Sequence, residues 1–313
     1  MTKQTLSLLN EITEAEVLGT RLRLLQTTMA PQLNLSPQRF QAKLTDRYRR
    51  PMHNALAAGC DGLCVFYPPR DPSCDLGVTV LSDASGPMLS DAALICAAEA
   101  AVRYGGCHSG LRLETPTGPI EVNAHHRKGG VIDLHISNVV AMMFGVGYRV
   151  QIPFLGEVIL DIVFDGNFYG LVQNLFDPMP SLVQMMDLHQ QICIQIARQE
   201  VVIHPASPYL SGLGRLLWPR SPILADAQSK SLVIEGAPAP RIIPDAGLSA
   251  RALHRVALNQ KLWGQPQRHE TETGQILTLR CVRPIAIAER LGTFVSMHYT
   301  TRSSNIVAID ALR

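Results

Sequence analysis

The chain is poor in aromatic residues, at 5%, and in charged ones, at 17%, although 46% of it is hydrophobic. Its apolar content is therefore aliphatic, which is the composition of a packed, enzyme-like core and excludes a disordered chain. Neither sign of charge is in excess, with 28 Lys and Arg against 26 Asp and Glu. No basic stripe is left for a nucleic acid. No apolar run reaches the roughly 18 residues that a bilayer span needs. The opening segment carries Glu11, Glu14 and Glu16 and has no central apolar stretch. It does not read as a signal peptide, and a cytoplasmic protein is expected. Seven cysteines (Cys60, Cys64, Cys74, Cys96, Cys107, Cys193, Cys281) are odd in number and scattered, which argues against a disulfide framework and suits a reducing compartment. Cys60 and Cys64, with Cys74 and His53 nearby, lack the spacing of a zinc knuckle, and adjacent His125 and His126 point to opposite faces of a strand. Hence no metal is expected. Gly105-Gly106 and Gly145-x-Gly147 are isolated; without a phosphate loop or dinucleotide fingerprint, no cofactor is expected.

A length of 313 residues suggests two domains. Ser36 reads as the N-cap of a helix to Ala58, with Phe40, Leu44, Tyr48, Met52 and Leu56 at near-helical spacing. Gly62–Tyr67 and Leu76–Leu81 read as strands. Asp91 to Val102 is so rich in Ala and so poor in charge that it reads as a buried helix, and such a helix needs a sheet around it. Strands are expected over Leu111–Thr115, Ile120–Ala124, Val131–Val140, Tyr148–Pro153, Glu157–Phe164 and Phe168–Gln173. Next come a helix over Met179–Gln199, a Pro- and Ser-containing loop over His204–Ser221, a strand at Leu232–Glu235 and a small-residue helix over Leu248–Leu262. In each half a turn with Gly and Asp feeds an Ala-rich helix flanked by strands, as an internal duplication would produce.

Leu113-Glu-Thr-Pro-Thr-Gly118 and Ile159-Leu-Asp-Ile-Val-Phe-Asp-Gly-Asn-Phe-Tyr-Gly170 resemble the proline racemase family, which includes hydroxyproline epimerases and dehydratases and typically shows L-E-T-P-A-G and D-I-A-Y-G-G-N-F-Y-A at these points. Thr13-Glu-Ala-Glu16, Pro69-Arg70, His204-Pro205, Leu210-Ser-Gly212 and Ser249-Ala-Arg251 match further family segments in the right order. The resemblance implies an α/β (α+β) fold, diaminopimelate-epimerase-like, of two pseudo-symmetric domains, each a curled mixed sheet around a central helix. The expected domains are 1–118 plus 297–313, and 119–296, with the site in the cleft between them. It also implies a homodimer, no cofactor, and proline or hydroxyproline as the type of ligand.

Racemisation at Cα needs two opposed acid/base groups. The family supplies a cysteine at the start of each central helix, in M-C-G-H and D-R-S-P-C-G-T-G-T-S-A-R. Here Met88-Leu-Ser-Asp91 replaces the first motif, so Leu89 or, shifted by one, Ser90 takes the cysteine position. In the second half that position falls on Pro244 or Asp245, depending on the anchor. Pro240 replaces an acid that in the family contacts the substrate nitrogen while Arg241 persists, Asp71-Pro72 replaces Gly-His after Pro69-Arg70, and Asp165 replaces the first of two glycines. Cys96 lies too far inside its helix to substitute and reads as a core thiol. The catalytic candidates are thus Asp91, Asp245 and Ser90; Leu89, Asp165, Asn167, Phe168, Ala246 and Gly247 are the candidate substrate-binding residues. Against catalysis, Ser90 and Asp91 suit an N-cap and first turn, and Asp245 suits a turn. Three readings follow. One is an isomerase or dehydratase with a carboxylate pair, another a catalytically inactive paralogue that binds a small carboxylate or pairs with a homologous active subunit, and the third the same chemistry run by groups the alignment does not place.

Overall fold

The computed structural model describes residues 14–31, 36–82, 90–104, 110–153, 155–173, 180–205, 208, 210–236, 241–243 and 245–301. The chain forms two compact units, Met1–Val139 with Ser296–Arg313, and Val140–Val295. The expected break after residue 118 falls inside the first unit, because Gly118 only turns one strand into its antiparallel partner.

In the first unit, β1 (Glu14–Val17) and β2 (Thr20–Gln26) precede α1 (Pro37–Ala57). β3 (Gly62–Tyr67), β4 (Leu76–Leu81), α2 (Asp91–Tyr104), β5 (Gly110–Thr115) and β6 (Gly118–His126) follow. β1 to β6 lie in sequence order, and β7 (Ile132–Ile152) extends them. Ser36 caps α1, its Oγ accepting from the Arg39 N–H at 3.3 Å, and Pro37 sits at N1, where no N–H is needed. α1 lays Phe40, Leu44 and Met52 on Leu63, Val65 and Tyr67 of β3. α2 packs on β1 and β2, and Ala92 to Val102 are buried without a break. Only small side chains let a helix approach its sheet on so many faces.

The second unit repeats the pattern. After β7 come β8 (Gly156–Phe164), β9 (Phe168–Val172), α3 (Leu182–Gln199), β10 (Arg215–Arg220), β11 (Ser229–Glu235), β12 (Arg241–Ile243), α4 (Leu248–Leu258), β13 (Gln267–Glu270), β14 (Ile276–Ile287) and β15 (Arg290–Thr300). The pairings β1–β2–β3–β4–β5–β6 alternate antiparallel, parallel, antiparallel, parallel, antiparallel. Those of β8–β9–β10–β11–β13–β14 alternate in the same order. α4 stands where α2 does, packing on β8 and β14.

Three elements differ from expectation. Val131–Val140 and Tyr148–Pro153, expected as separate strands, are one 21-residue strand, β7, whose pairing with β8 absorbs register shifts around Gly145. A strand, β10, crosses the expected loop at His204–Ser221; Pro219 stands near its end, where the loss of one N–H is tolerated, while Leu216, Leu217 and Trp218 are buried. α4 stops at Leu258, and only a 3₁₀ turn, Gln260–Leu262, continues it.

Candidate active site

Each unit offers the start of its buried helix. At the head of α2, the Ser90 Oγ accepts from the Ala93 N–H at 3.1 Å and the Ser90 carbonyl from the Leu94 N–H at 2.9 Å, so Ser90 is the N-cap. Asp91 follows in the first turn and is buried with Ser90, where the helix dipole favours its charged form. Leu89, Pro240 and Pro244 lie outside the described residues.

The head of α4 gathers most of the remaining candidates. β8 and β9 are joined by Asp165-Gly-Asn167, closed by an Asp165 N–H bond to the Asn167 carbonyl at 3.2 Å. From this turn the Asp165 Oδ2 accepts from the Ala250 N–H of α4 at 3.0 Å, supplying the cap that Gly247 cannot give. Asn167 is buried, and among the described residues its Nδ2 has no hydrogen-bond partner. Asp245 is held with φ 46° and Gly247 with φ 68°; glycine takes that left-handed conformation freely and aspartate tolerates it. The Asp245 Oδ1 accepts from the Glu272 N–H at 2.9 Å. A Cβ at Gly247 would lie 3.0 Å from both Leu217 and Tyr169, which brings β9, β10 and this turn together. Ala246 is fully buried.

Phe168 and Tyr169 do not alternate between core and surface: both are buried, and Phe168 packs edge-on to Phe144 with centroids 5.4 Å apart. Arg241 pairs with Glu235 at 2.8 Å, and Arg215 reaches the same carboxylate at 2.7 Å. His204 is buried 4.6 Å from the Phe164 ring, and burial lowers its pKa. Asp71 closes its own turn by accepting from the Ser73 N–H at 2.8 Å. That bond and the Ser73 side chain hold its carboxyl below the usual range.

No cysteine stands in the first turn of α2 or of α4. Cys96 is fully buried inside α2, where burial pushes its pKa well up, and burial pushes Cys193 and Cys281 up to about 12. Among the described residues, no group of three or more His, Cys, Asp or Glu could hold a metal ion.

Sequence reasoning did not reach two groups. Glu272 fixes Asp245 through its backbone, a contact between segments far apart in the chain. Glu114 and Glu270 each anchor a loop, Glu114 through the Arg70 and Asp71 N–H groups (2.9 and 2.6 Å) and Glu270 through those of Ile223 and Leu224 (2.5 and 2.7 Å). Their signal was available, since Glu114-Thr-Pro-Thr-Gly118 recurs as Glu270-Thr-Glu-Thr-Gly274.

Residues 52–298 match the family model described as proline racemase. A 4-hydroxyproline 2-epimerase of Ancylobacter novellus is 26% identical over 68% of this chain, and the match spans 66% of that protein, just under two thirds of its length. One from Paracoccus denitrificans is 24% identical over 80% of this chain and 78% of its own. Among solved structures, a hydroxyproline epimerase from Agrobacterium vitis, with trans-4-OH-L-proline bound, superposes with a TM-score of 0.77 at 16% identity, covering 95% of this chain and 92% of that one. That likeness carries the fold, which in this chain is mixed α/β with a large mixed sheet. Matched by its model from α1 to β15, the chain belongs to the proline racemase family.

Proposed function

We propose that the protein takes a small amino or imino acid of the proline or hydroxyproline type, and that its turnover is Cα proton transfer, giving epimerisation or dehydration without a thiol pair or a cofactor. The reading rests on the family match over residues 52–298 together with one observation: buried carboxylates, and not cysteines, stand at the start of α2 (Asp91) and two residues before the N-cap of α4 (Asp245). A carboxylate at a helix start is a weak base, because the dipole favours its charged form. Slow exchange is therefore expected in place of the rates of a thiolate pair. Asp165, Asn167, Phe168, Ala246 and Gly247 would line the ligand. No helix among the described residues is long and apolar enough to cross a membrane; we read the protein as a cytoplasmic homodimer with no nucleic-acid partner.

Incubation with proline and the hydroxyproline isomers in D2O tests this. Deuterium should appear at Cα, and Asp91→Asn or Asp245→Asn should abolish it. Absence of exchange with every one of these compounds, in a protein that one of them stabilises thermally, would replace this reading with a second.

The second reading is a binding paralogue, alone or as partner of a thiol-bearing homologous subunit. It is favoured by the bonds that commit Ser90, Asp165 and Asp245 to the Ala93, Ala250 and Glu272 N–H groups. It predicts co-purification with such a homologue from cells that express both.

A further inference from the structure

Arg251 and Arg255 lie one turn apart on one face of α4. Both are partly buried, and among the described residues the Arg251 Nε and Arg255 Nη1 are buried without a hydrogen-bond partner. β13 runs beside this turn of the helix, where Gln267 donates from Nε2 to the Ala252 carbonyl at 3.1 Å. Two residues along β13, and so on the same face, stands His269, 2% exposed and register partner of Ser229 on β11. The Ser229 Oγ and His269 Nδ1 are 3.0 Å apart. If the hydroxyl donates, the imidazole proton sits on Nε2. That Nε2 is buried and has no hydrogen-bond partner among the described residues. The imidazole is kept neutral by burial, and the nearby Arg251 and Arg255 charges add to that effect. The adjacent carboxylate, Glu270, is spent on Lys230 at 2.7 Å and on two backbone N–H groups, so it neutralises neither arginine.

The first unit shows that the fold does not require this cluster. β4 and β5 pair Leu76 with Leu113 at the station where β11 and β13 pair Ser229 with His269. Counted from the N-caps Ser90 and Gly247, Leu94 and Ala98 of α2 correspond to Arg251 and Arg255. All four counterparts are buried apolar residues. One unit fills the station with hydrocarbon, and the other lines it with unneutralised donors.

We infer that Arg251, Arg255 and His269 form a binding site for a small oxyanion, such as phosphate, sulfate or a carboxylate, seated between α4 and the β11–β13 pair. An anion there supplies the countercharge that two partly desolvated arginines lack, and none of the three residues belongs to the helix-head site. Titration of the purified protein with inorganic phosphate, sulfate and acetate, against NaCl at equal ionic strength and with melting temperature as readout, tests the site. A saturable rise is expected for at least one of the three anions, with its midpoint moved at least tenfold upward by Arg251→Gln and by Arg255→Gln. Arg268→Gln, which removes a surface pair with Asp226, should leave the midpoint in place. If Arg251→Gln does not fold, Arg255→Gln and the ¹⁵N resonances of the His269 ring, assigned against His269→Asn, serve in its place. Melting curves that follow ionic strength alone, a midpoint indifferent to both arginine variants, or His269 resonances unmoved by every anion would overturn the proposal.

Discussion

Glu114 and Glu270 hold the same station in the two units: each carboxylate ties two consecutive N–H groups of the loop that joins β3 to β4 or β10 to β11. The two loops share little beyond the proline, Pro69 or Pro222, that precedes each clamped pair, yet each is held by the same clamp. It is the clearest local trace of the duplication that the strand pairings show at full scale.

Glu270 carries more than its loop. Lys230 beside it, with the Leu224 and Ile223 N–H groups, holds its carboxyl below the usual glutamate range against the opposing effect of burial. A lowered folded pKa means that this stabilisation is complete above the unfolded value, near 4.3, and is lost as pH falls through the lowered one. Glu270→Gln leaves Lys230 buried without its countercharge and should cost about 1–3 kcal/mol at neutral pH. Urea denaturation at pH 7 and at pH 3.5 checks this: the difference between variant and parent should shrink at the lower pH.

Asp165 seals the head of α4 with its own carboxylate. Asp165→Gly, which places here the residue typical of the family, should cost about 1 kcal/mol for the lost cap and free the Ala250 N–H for an external anion. Isothermal titration with proline should then show tighter binding than in the parent chain. Unchanged affinity would show that this N–H group takes no part in ligand binding.

At Gly247 a side chain would have to adopt φ 68° and press on Tyr169 and Leu217. Gly247→Ala should lower stability by about 1–2 kcal/mol, from backbone strain and crowding together. By contrast, Asp245→Asn keeps a residue that tolerates the left-handed region, so its effect on proton exchange can be read with the fold intact. Chemical denaturation of both variants distinguishes them.

Burial lowers the pKa of His189, on α3, to about 4. Because the folded value lies below the unfolded one, the unfolded chain binds the extra proton between the two, and stability falls as pH drops through that window. The contribution amounts to about 2 kcal/mol between pH 7 and pH 5. His189→Leu should flatten this part of the pH–stability curve, whatever it does to stability at pH 7. A curve with unchanged slope would count against a neutral, buried imidazole.

Local signals made much of the fold legible. Ser36-Pro37 announces α1, whereas the start expected for α3 at Met179 missed the Ser181 cap, reciprocal with Gln184, that opens the helix at Leu182. The run from Ala92 to Val102 could only be a buried helix. Where two signals conflicted, the structure departs from the reading: the gap expected between Val140 and Tyr148 is spanned by one strand with register shifts around Gly145, and Pro219, in an expected loop, stands near the end of a strand. Of the site, Asp165, Asp245 and Gly247 could be named from the sequence, but their partners could not. The bonds from Asp165 to Ala250 and from Asp245 to Glu272 span 85 and 27 positions, and no periodicity reports such pairs. The arginine and histidine cluster under α4 was hidden for the same reason, because β13 and α4 meet only in the folded chain.

The depth at which the thiols are stored has a consequence for handling the molecule. Enzymes that run on exposed thiolates are silenced by peroxide and alkylating reagents, because the ionised sulfur is the reactive form. Here the described cysteines have raised pKa values, from Cys60 and Cys74 to Cys96 in the centre of its helix. Iodoacetamide at neutral pH should therefore label the native chain slowly and label the urea-unfolded chain quickly. Among the described cysteines, sulfur is buried or half-buried packing material.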